Sequence, residues 1–578
     1  MKKFVIKYQS ILIVLVLILL CGFAMIPLFH AGFFPMHDDE QVSRLYELHK
    51  ILVDGQIPPR WVPDLGFGYG FPLYNFYPPL FYYVGEIFHL LTFSFITSTK
   101  IALGVSFVLS AVFMFLWVKD RFGRLAGIFA AIVYVYAPYH AVDIYVRGAF
   151  AEFFSFIWIP AVLWSFDRIS RKQSFGNILL SGIFLTFVVL SHNLVAMQVI
   201  PFFVIYIGVL LFQQRKKFLY LLRTYCISGG ISLGLSAYFW LPALAEKKFT
   251  LVDTILTKEL ANYAIHYVCP SQLWSSPWGY GGSIAGCMDG LSFEIGKVQI
   301  ALIILSILLL VVFSKNLSQR LISLLGIVLF GFSVFLTTSY SSFIWNTISS
   351  LAYIQFPWRF LLITAVFSSF VGGFCIFALQ KIGGVKFGIA ACVMLSALAI
   401  FSVRNDFKPA NYMLLGDDHY ITDINWVISR MSYEYVPKEV ATQKSPLGTT
   451  ELAIMQADLP QKSYSVRSGG MQVVQNENKS QEKKYTIQVQ KKGVFQVNTY
   501  SFPGWMVIVD GRQVRYNDTN RLHLIQFALS PGTHEVEAVF SNTPARTIGN
   551  TITLASILIT GVYAVLYIKR KKYEKANS

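Results

Sequence analysis

The chain has 578 residues, of which 55% are apolar, 16% aromatic and only 14% charged. That balance excludes an ordinary soluble domain and places the chain among polytopic membrane proteins. The net charge of +17 calls for no nucleic acid, because much of it sits in short connectors, where basic residues hold loops in the cytoplasm.

The first apolar run, 9–29, follows Lys2 and Lys3. No clear small-residue cleavage site comes after it and further apolar runs do, so an uncleaved first span is expected. Basic connectors lie at 119–124, 168–172, 213–217, 315–320 and 381–386, and the tail is basic at 569–575. Placing all of these inside predicts about twelve transmembrane helices. The crossings fall at 9–29, 100–118, 125–139, 150–166, 177–191, 194–212, 219–241, 297–313, 321–337, 361–380, 387–403 and 549–568. The run 80–96 is apolar but carries Glu86 and His89, and counting it would push Lys119, Arg121 and Arg124 outside. It reads as a helix in the outer interface. From about 463 the pattern changes to short alternating strands separated by turns such as Asp510-Gly511 and Pro531-Gly532, the signature of a small β-sandwich on the outer side. The expected organisation is a membrane domain over 1–403 with a first outer loop at 30–99, an extracytoplasmic mixed or β-sandwich domain over 404–548, and a last crossing with a basic tail over 549–578. Both termini would be cytoplasmic. Cys269 and Cys287 share one outer loop, where a disulfide can form.

Chemistry-bearing residues gather on the outer side. His37, Asp38, Asp39 and Glu40 follow the first span. Asp38 with Gln41 resembles a capping box for an amphipathic surface helix over 41–53. Equally, one carboxylate can serve as general base for an acceptor hydroxyl, or Asp38 and Asp39 can hold a divalent cation against a phosphate. Residues 57–80, rich in Pro, Gly and aromatic rings, form an ordered loop in which Trp61 and its neighbours, beside Arg60 and Asn75, suit a sugar ring or a prenyl chain, or an interfacial aromatic belt. The next outer turn supplies His140, Asp143, Arg147 and Glu152. Glu152 opens an apolar span, where a carboxylate needs a partner, and Arg147 or His140 is at hand. His192 interrupts two spans at the same face and reads as a hairpin residue or a ligand. Arg359, after Phe356-Pro357-Trp358, can bind a lipid phosphate or anchor a helix among headgroups. No phosphate-binding glycine loop, zinc spacing or catalytic triad motif is visible.

The run from His37 through 58–80, with Ala137-Pro138-Tyr139 and 145–152, resembles the bacterial membrane family labelled 6-pyruvoyl-tetrahydropterin synthase-related, over Met1 to about Phe360. The histidine triad for zinc that the label implies is not seen. More loosely the layout is similar to the GT-C glycosyltransferases, with their acidic first outer loop, a basic connector like Arg121-Phe122-Gly123 and a second outer turn bearing Arg and an acid. The stretch 502–511 is similar to the outer β-domain of YfhO-type membrane proteins. By position this resemblance implies that Asp38 or Asp39 is the first catalytic acid and that Arg147 with Glu152 forms the second site. Glu152 stands where many relatives of the looser group have Asp.

The reading is therefore a GT-C-like glycosyltransferase of the cell membrane. It would use a polyprenyl-phosphate-linked sugar to modify a cell-envelope glycan or lipid on the outer face, with inversion. Asp38, Asp39 and Glu152 are the catalytic candidates. His37, Arg60, Trp61, Asn75, His140, Arg147, His192 and Arg359 are the substrate-binding candidates, and the outer β-domain is a place for an acceptor glycan. A non-catalytic carrier of lipid-linked glycans is the alternative. A secondary transporter would need charges buried at mid-membrane, whereas the clusters here lie at one face.

Overall fold

The computed structural model describes residues 2–312, 317–422, 432–446 and 448–576. Lys315 of the fourth basic connector and the end of the crossing expected at 297–313 lie outside them. Among the described residues, eight helices are long and apolar enough to span a membrane, or nine if the bent pair Arg124–Val135 and Pro138–Arg147 counts as one. The remaining expected crossings fall on two shorter apolar helices, Phe175–Ser191 and Lys297–Val312, and on the far half of Leu361–Ser402. That long helix is broken at Gly384, whose φ of 80° leaves the helical region.

Packing ranks these helices. Phe150–Arg171 is almost entirely buried and stands at the centre, while Pro544–Arg570 is exposed along nearly its whole length at the rim. Leu361–Ser402 packs on Arg124–Val135, which packs on Phe95–Phe122. Small residues let these backbones approach: a Cβ on Gly127 would lie 2.8 Å from Phe115 O.

Two expectations for the first loop are corrected. The run expected as one interfacial helix over 80–96 stops at His89, and Phe95 already begins the next long helix. There Ser94 caps the Thr97 N–H and the Asp417 carboxylate accepts from the Phe95 and Ile96 N–H groups. The helix Gln41–Val53 forms, but its N-cap is Glu40 and no side chain caps it, so the Asp38 capping box is absent. Nor does it float half-submerged: Arg44 and Glu47 are as buried as Leu45 and Leu48, because the helix is enclosed by Leu80–His89, Phe95–Phe122 and Asp417–Thr422.

The β-rich domain begins with a two-stranded ribbon, β1 (Thr442–Lys444) with β2 (Thr450–Leu452). Two antiparallel sheets follow. One has five strands in the order β4 (Met471–Asn478), β5 (Glu482–Val489), β10 (Gly532–Phe540), β7 (Trp505–Val509), β8 (Arg512–Val514). The other has three, β3 (Tyr464–Val466), β6 (Gly493–Tyr500) and β9 (Leu524–Leu529). Tyr485, Ile487, Val497, Ile525 and Val536 fill the space between them.

The Pro-Gly-aromatic loop seats this domain on the helices. Trp61 is 1% exposed, with ring centroids 5.3 Å from Trp505 and 5.0 Å from Phe540. Gly70 makes room for it: a Cβ there would stand 2.5 Å from Trp61 Nε1. Arg60 donates to Asn75 Oδ1 (2.7 Å) and Asn550 Oδ1 (2.8 Å), and Asn75 Nδ2 donates to Glu246 Oε2 (2.9 Å). Arg546 donates to the same Glu246 oxygen at 2.7 Å. Trp61 thus spends its aromatic surface on the β-domain, and Arg60 and Asn75 spend their polar groups on the helices Ala237–Glu246 and Pro544–Ala576, so the sugar or prenyl role expected of them finds no open face here.

Candidate functional site

The site is assembled by a backbone clasp. The His37 N–H donates to Val146 O (3.0 Å) and the Asp38 N–H to Arg147 O (2.9 Å), so the acidic run lies alongside the second turn. That turn is a five-residue π-helical segment, Asp143–Arg147, closed by Gly148 at φ 67°. A Cβ on Gly148 would overlap the Met36 side chain, so glycine is what allows the two loops to touch.

Arg147 is pinned on all sides. Its guanidinium pairs with Asp143, donates to Tyr139 Oη at 3.0 Å, and approaches Glu152 Oε2 at 3.0 Å. Its planar face lies 4.6 Å from the centre of the Trp358 ring. Arg359 arrives from the turn Pro357–Phe360, with its Nε 3.3 Å from the same Glu152 oxygen and its Nη1 donating to Ile354 O (3.0 Å) and Gln355 Oε1 (2.9 Å). One fully buried carboxylate, Glu152, therefore holds two arginines from different loops, and its other oxygen accepts from Tyr139 at 2.7 Å.

In front of the arginines is a cavity of about 250 Å³ lined by His37, Asp38, Arg147, His266, Trp358 and Arg359, among others. Glu152 stays behind the wall. A wall on the far side comes from the loop 263–291, closed by a Cys269–Cys287 disulfide and by Gln272 Nε2 donating to Asp289 Oδ2 at 2.8 Å. Tyr280 O is 3.0 Å from His37 Nε2, and His266 Nδ1 is 2.9 Å from Ser283 Oγ. The Phe356 and Trp358 rings stack at 4.8 Å beside it.

Burial, then the neighbouring Glu40, raises the Asp38 carboxyl above its ordinary value, against the pull of Arg147, Arg44 and Arg359. Asp39 is pushed up to about 6, again by burial first and Glu40 next. Its Oδ1 is buried with no hydrogen-bond partner. Asp39 does not line the cavity. Among the described residues no three His, Cys, Asp or Glu side chains gather as metal ligands, so the pair expected to hold a cation has no third protein ligand.

Of the expected site residues, the fold brings together His37, Asp38, Arg147 and Arg359, with Glu152 directly behind them. His140 stands apart. Its ring is fully buried, stacked 4.0 Å from Phe156, with Nδ1 2.8 Å from Tyr134 O. His192 is the hairpin residue: its Nδ1 accepts the Val195 N–H at 3.2 Å as an N-cap. Residues 263–291 supply a wall that only the two cysteines hinted at. Trp358 was not singled out from the sequence; its place beside Arg359 is the signal that could have found it.

The family described as 6-pyruvoyl-tetrahydropterin synthase related domain, a membrane protein family, matches over residues 74–411. The chain belongs to this family. Family membership makes it a membrane protein but brings no zinc site with it, since the described residues hold no such cluster. An uncharacterized protein of Lactococcus lactis subsp. cremoris is 22% identical over 255 residues, 43% of this chain and 41% of its own length. The chain thus spans under half of that relative. Among solved structures, an oligosaccharyltransferase of Archaeoglobus fulgidus carrying a tethered acceptor peptide aligns at 12% identity over 70% of this chain and 56% of its own, with a TM-score of 0.41. Arabinofuranosyltransferase AftD from Mycobacteria aligns at 11% identity over 70% of this chain and 27% of its own, with a TM-score of 0.40. These scores carry no weight for function, which rests on the cavity.

Proposed function

We propose that this cavity is the transfer site of a GT-C-like membrane glycosyltransferase. It takes a polyprenyl-phosphate-linked sugar and modifies a cell-envelope glycan or lipid on the outer face. One observation carries the reading: a carboxylate, Asp38, shares a small cavity with two rigidly held arginines, Arg147 and Arg359. At about 250 Å³ the space is below the ~300–1,000 Å³ of pockets for drug-sized ligands, a size suited to a single sugar ring or a phosphate.

The chemistry follows from charge. Asp38 accepts the proton of the acceptor hydroxyl, whose oxygen attacks the anomeric carbon from the face opposite the phosphate. The bond from that carbon to the phosphate oxygen breaks, and the lipid phosphate leaves with the electron pair. Arg147 and Arg359 stabilise its growing charge, with no reorganisation needed because Glu152 already fixes both. One displacement inverts the sugar carbon. Glu152 is a positioning residue in this scheme, and so is Trp358, whose ring is stacked on Phe356 and lies against the Arg147 guanidinium.

The test uses purified protein in lipid nanodiscs with a radiolabelled polyprenyl-phosphate hexose and an envelope glycan fraction. Asp38→Asn is expected to lower transfer about 10²–10⁴-fold, the range of general base removal, while donor binding persists. Arg147→Gln and Arg359→Gln are expected to weaken donor binding. Full transfer by Asp38→Asn sinks the assignment. Donor binding by the unaltered chain with no turnover would make it a non-catalytic carrier instead.

A further inference from the structure

A second polar site lies in the β-domain, and it shares no residue with the cavity at Asp38. On one face of the three-stranded sheet, Ser465, Gln496 and Gln526 form a cross-strand row, since Ser465 pairs with Gln496 and Gln496 with Gln526 in register. Asn498 is two residues along β6 and shares that face. The alternate residues Phe495, Val497, Ile525 and Phe527 fill the core.

Gln496 and Asn498 are each only 5% exposed, because residues 457–462 strap across them. Asn498 ties the strap down, donating from Nδ2 to Lys462 O at 2.9 Å and from its backbone N–H to Ser463 O at 2.8 Å. A cavity of about 400 Å³ and another of about 360 Å³ lie along the strap. Pro460, Gln461, Lys462 and Asn498 line both, so the two are halves of one groove.

Two features of that groove point to one ligand chemistry. The amides are chained, Gln526 Nε2 to Gln496 Oε1 (2.7 Å) and Gln496 Nε2 to Asn498 Oδ1 (2.7 Å). Asn498 spends its whole amide inside this network, on Gln496, Ser465 and Lys462. It orients Gln496 and Gln526, whose remaining N–H and carbonyl positions present donor and acceptor side by side, as sugar hydroxyls require. Gln475, in the second half, has a buried Nε2 with no partner. The charges are lopsided. Lys50 is paired with Asp64 at 2.5 Å, and Arg521 with Asp458. Among the described residues Lys462, Arg467 and Lys483 form no ion pair. Lys483 is 7% exposed and has only Asn478 Oδ1, at 3.2 Å, as acceptor. Burial pulls the Lys483 ammonium down to about 8 and the Asp64 and Asp54 carboxylates that act on it form no ion pair with it, so an anion held in the groove would favour its charged form.

We propose that this groove binds an acidic glycan, a chain of sugars bearing carboxylate or phosphate groups. The claim goes beyond the transfer reaction and does not depend on it.

Isothermal titration of the full chain in nanodiscs, with no donor present, tests it. The probes are hexagalacturonate, a phosphorylated mannohexaose, neutral maltohexaose and hexaglutamate. At least one acidic hexasaccharide should bind, and the better of the two identifies the anion. Lys483→Gln and Asn498→Ala should each weaken it about tenfold, ~1.4 kcal/mol. Lys462→Gln, at an exposed position, gives the same readout without disturbing the core. Asp38→Asn should bind as the unaltered chain does, which separates this claim from the catalytic one. The proposal is overturned if neither acidic sugar binds, if maltohexaose or hexaglutamate binds as tightly, or if all three groove variants leave affinity unchanged.

Discussion

Glu152→Gln removes one negative charge and keeps the side chain's shape. Its carboxylate is fully buried, 3.0 Å from Arg147 and 3.3 Å from Arg359. Breaking a buried ion pair by neutralising one partner costs about 3–5 kcal/mol, because the other charge stays buried. Three contacts soften that cost. Arg147 keeps Asp143, Arg359 keeps Ile354 O and Gln355 Oε1, and an amide at 152 still accepts from Tyr139. The expected loss is at the low end, about 3 kcal/mol. Membrane proteins of this size unfold irreversibly, so the readout is the inactivation half-life at fixed temperature in nanodiscs. If the clamp is lost before the unfolding barrier, ~3 kcal/mol shortens that half-life about a hundredfold. Asp38→Asn, which removes a carboxylate that burial already disfavours, should not shorten the half-life. A Glu152→Gln half-life within about twofold of the unaltered chain would refute the clamp.

Asp39→Asn should stabilise at neutral pH. Burial holds this carboxyl up to about 6, so the folded state favours the protonated form. That contribution is full below the unfolded value of about 3.9 and is lost as pH rises through 6. After allowance for its partial exposure, the gain at neutral pH is ~1–2 kcal/mol. Half-lives measured from about pH 4 to 7.5 check the trend, and an advantage that fails to grow with pH counts against it. Replacing Cys269 and Cys287 together by Ser opens a loop of sequence separation 18, worth about 3 kcal/mol in the chain-entropy account. Faster proteolysis within 263–291 and weaker donor binding are expected, and unchanged binding would show that the wall needs no staple. Gly70→Ala forces a Cβ to within 2.5 Å of Trp61 Nε1 at a φ of 73°, a strain of ~1–3 kcal/mol. Proteolysis should then cut first between the helices and the β-domain. Arg60→Gln should loosen the first outer loop's hold on Tyr238 and Asn550 while leaving donor affinity unchanged, and a matching loss of donor affinity would return Arg60 to the binding site.

The sequence spoke most clearly about the helices. Among the described residues the expected crossings fall on helices, in places broken, because an apolar run long enough for a bilayer has few other places to go. It spoke less clearly where one composition serves two purposes. Trp61 and the rings around it look alike whether they meet a sugar or the Trp505 and Phe540 of a neighbouring domain. The capping motif at Asp38 has the right spacing, yet the chain bends there to clasp Arg147, a contact 109 residues away that no local rule contains. Arg147 and Glu152 could be paired on paper because a charge at the start of an apolar span must find a partner. Arg359 joined them only through the fold. The groove at Gln496 and Asn498 was invisible, since an alternating polar face looks the same whether water or a strap covers it.

The cavity's walls come from residues 37–38, 147, 266–291 and 356–359, almost two-thirds of the way along the polypeptide. During synthesis the early segments enter the membrane with Glu152 holding a single arginine, and the second arrives some two hundred residues later. A nascent or truncated chain ending before Arg359 therefore carries half a pocket. Two separately expressed pieces divided within 313–316 should complete the pocket only when they meet in one bilayer.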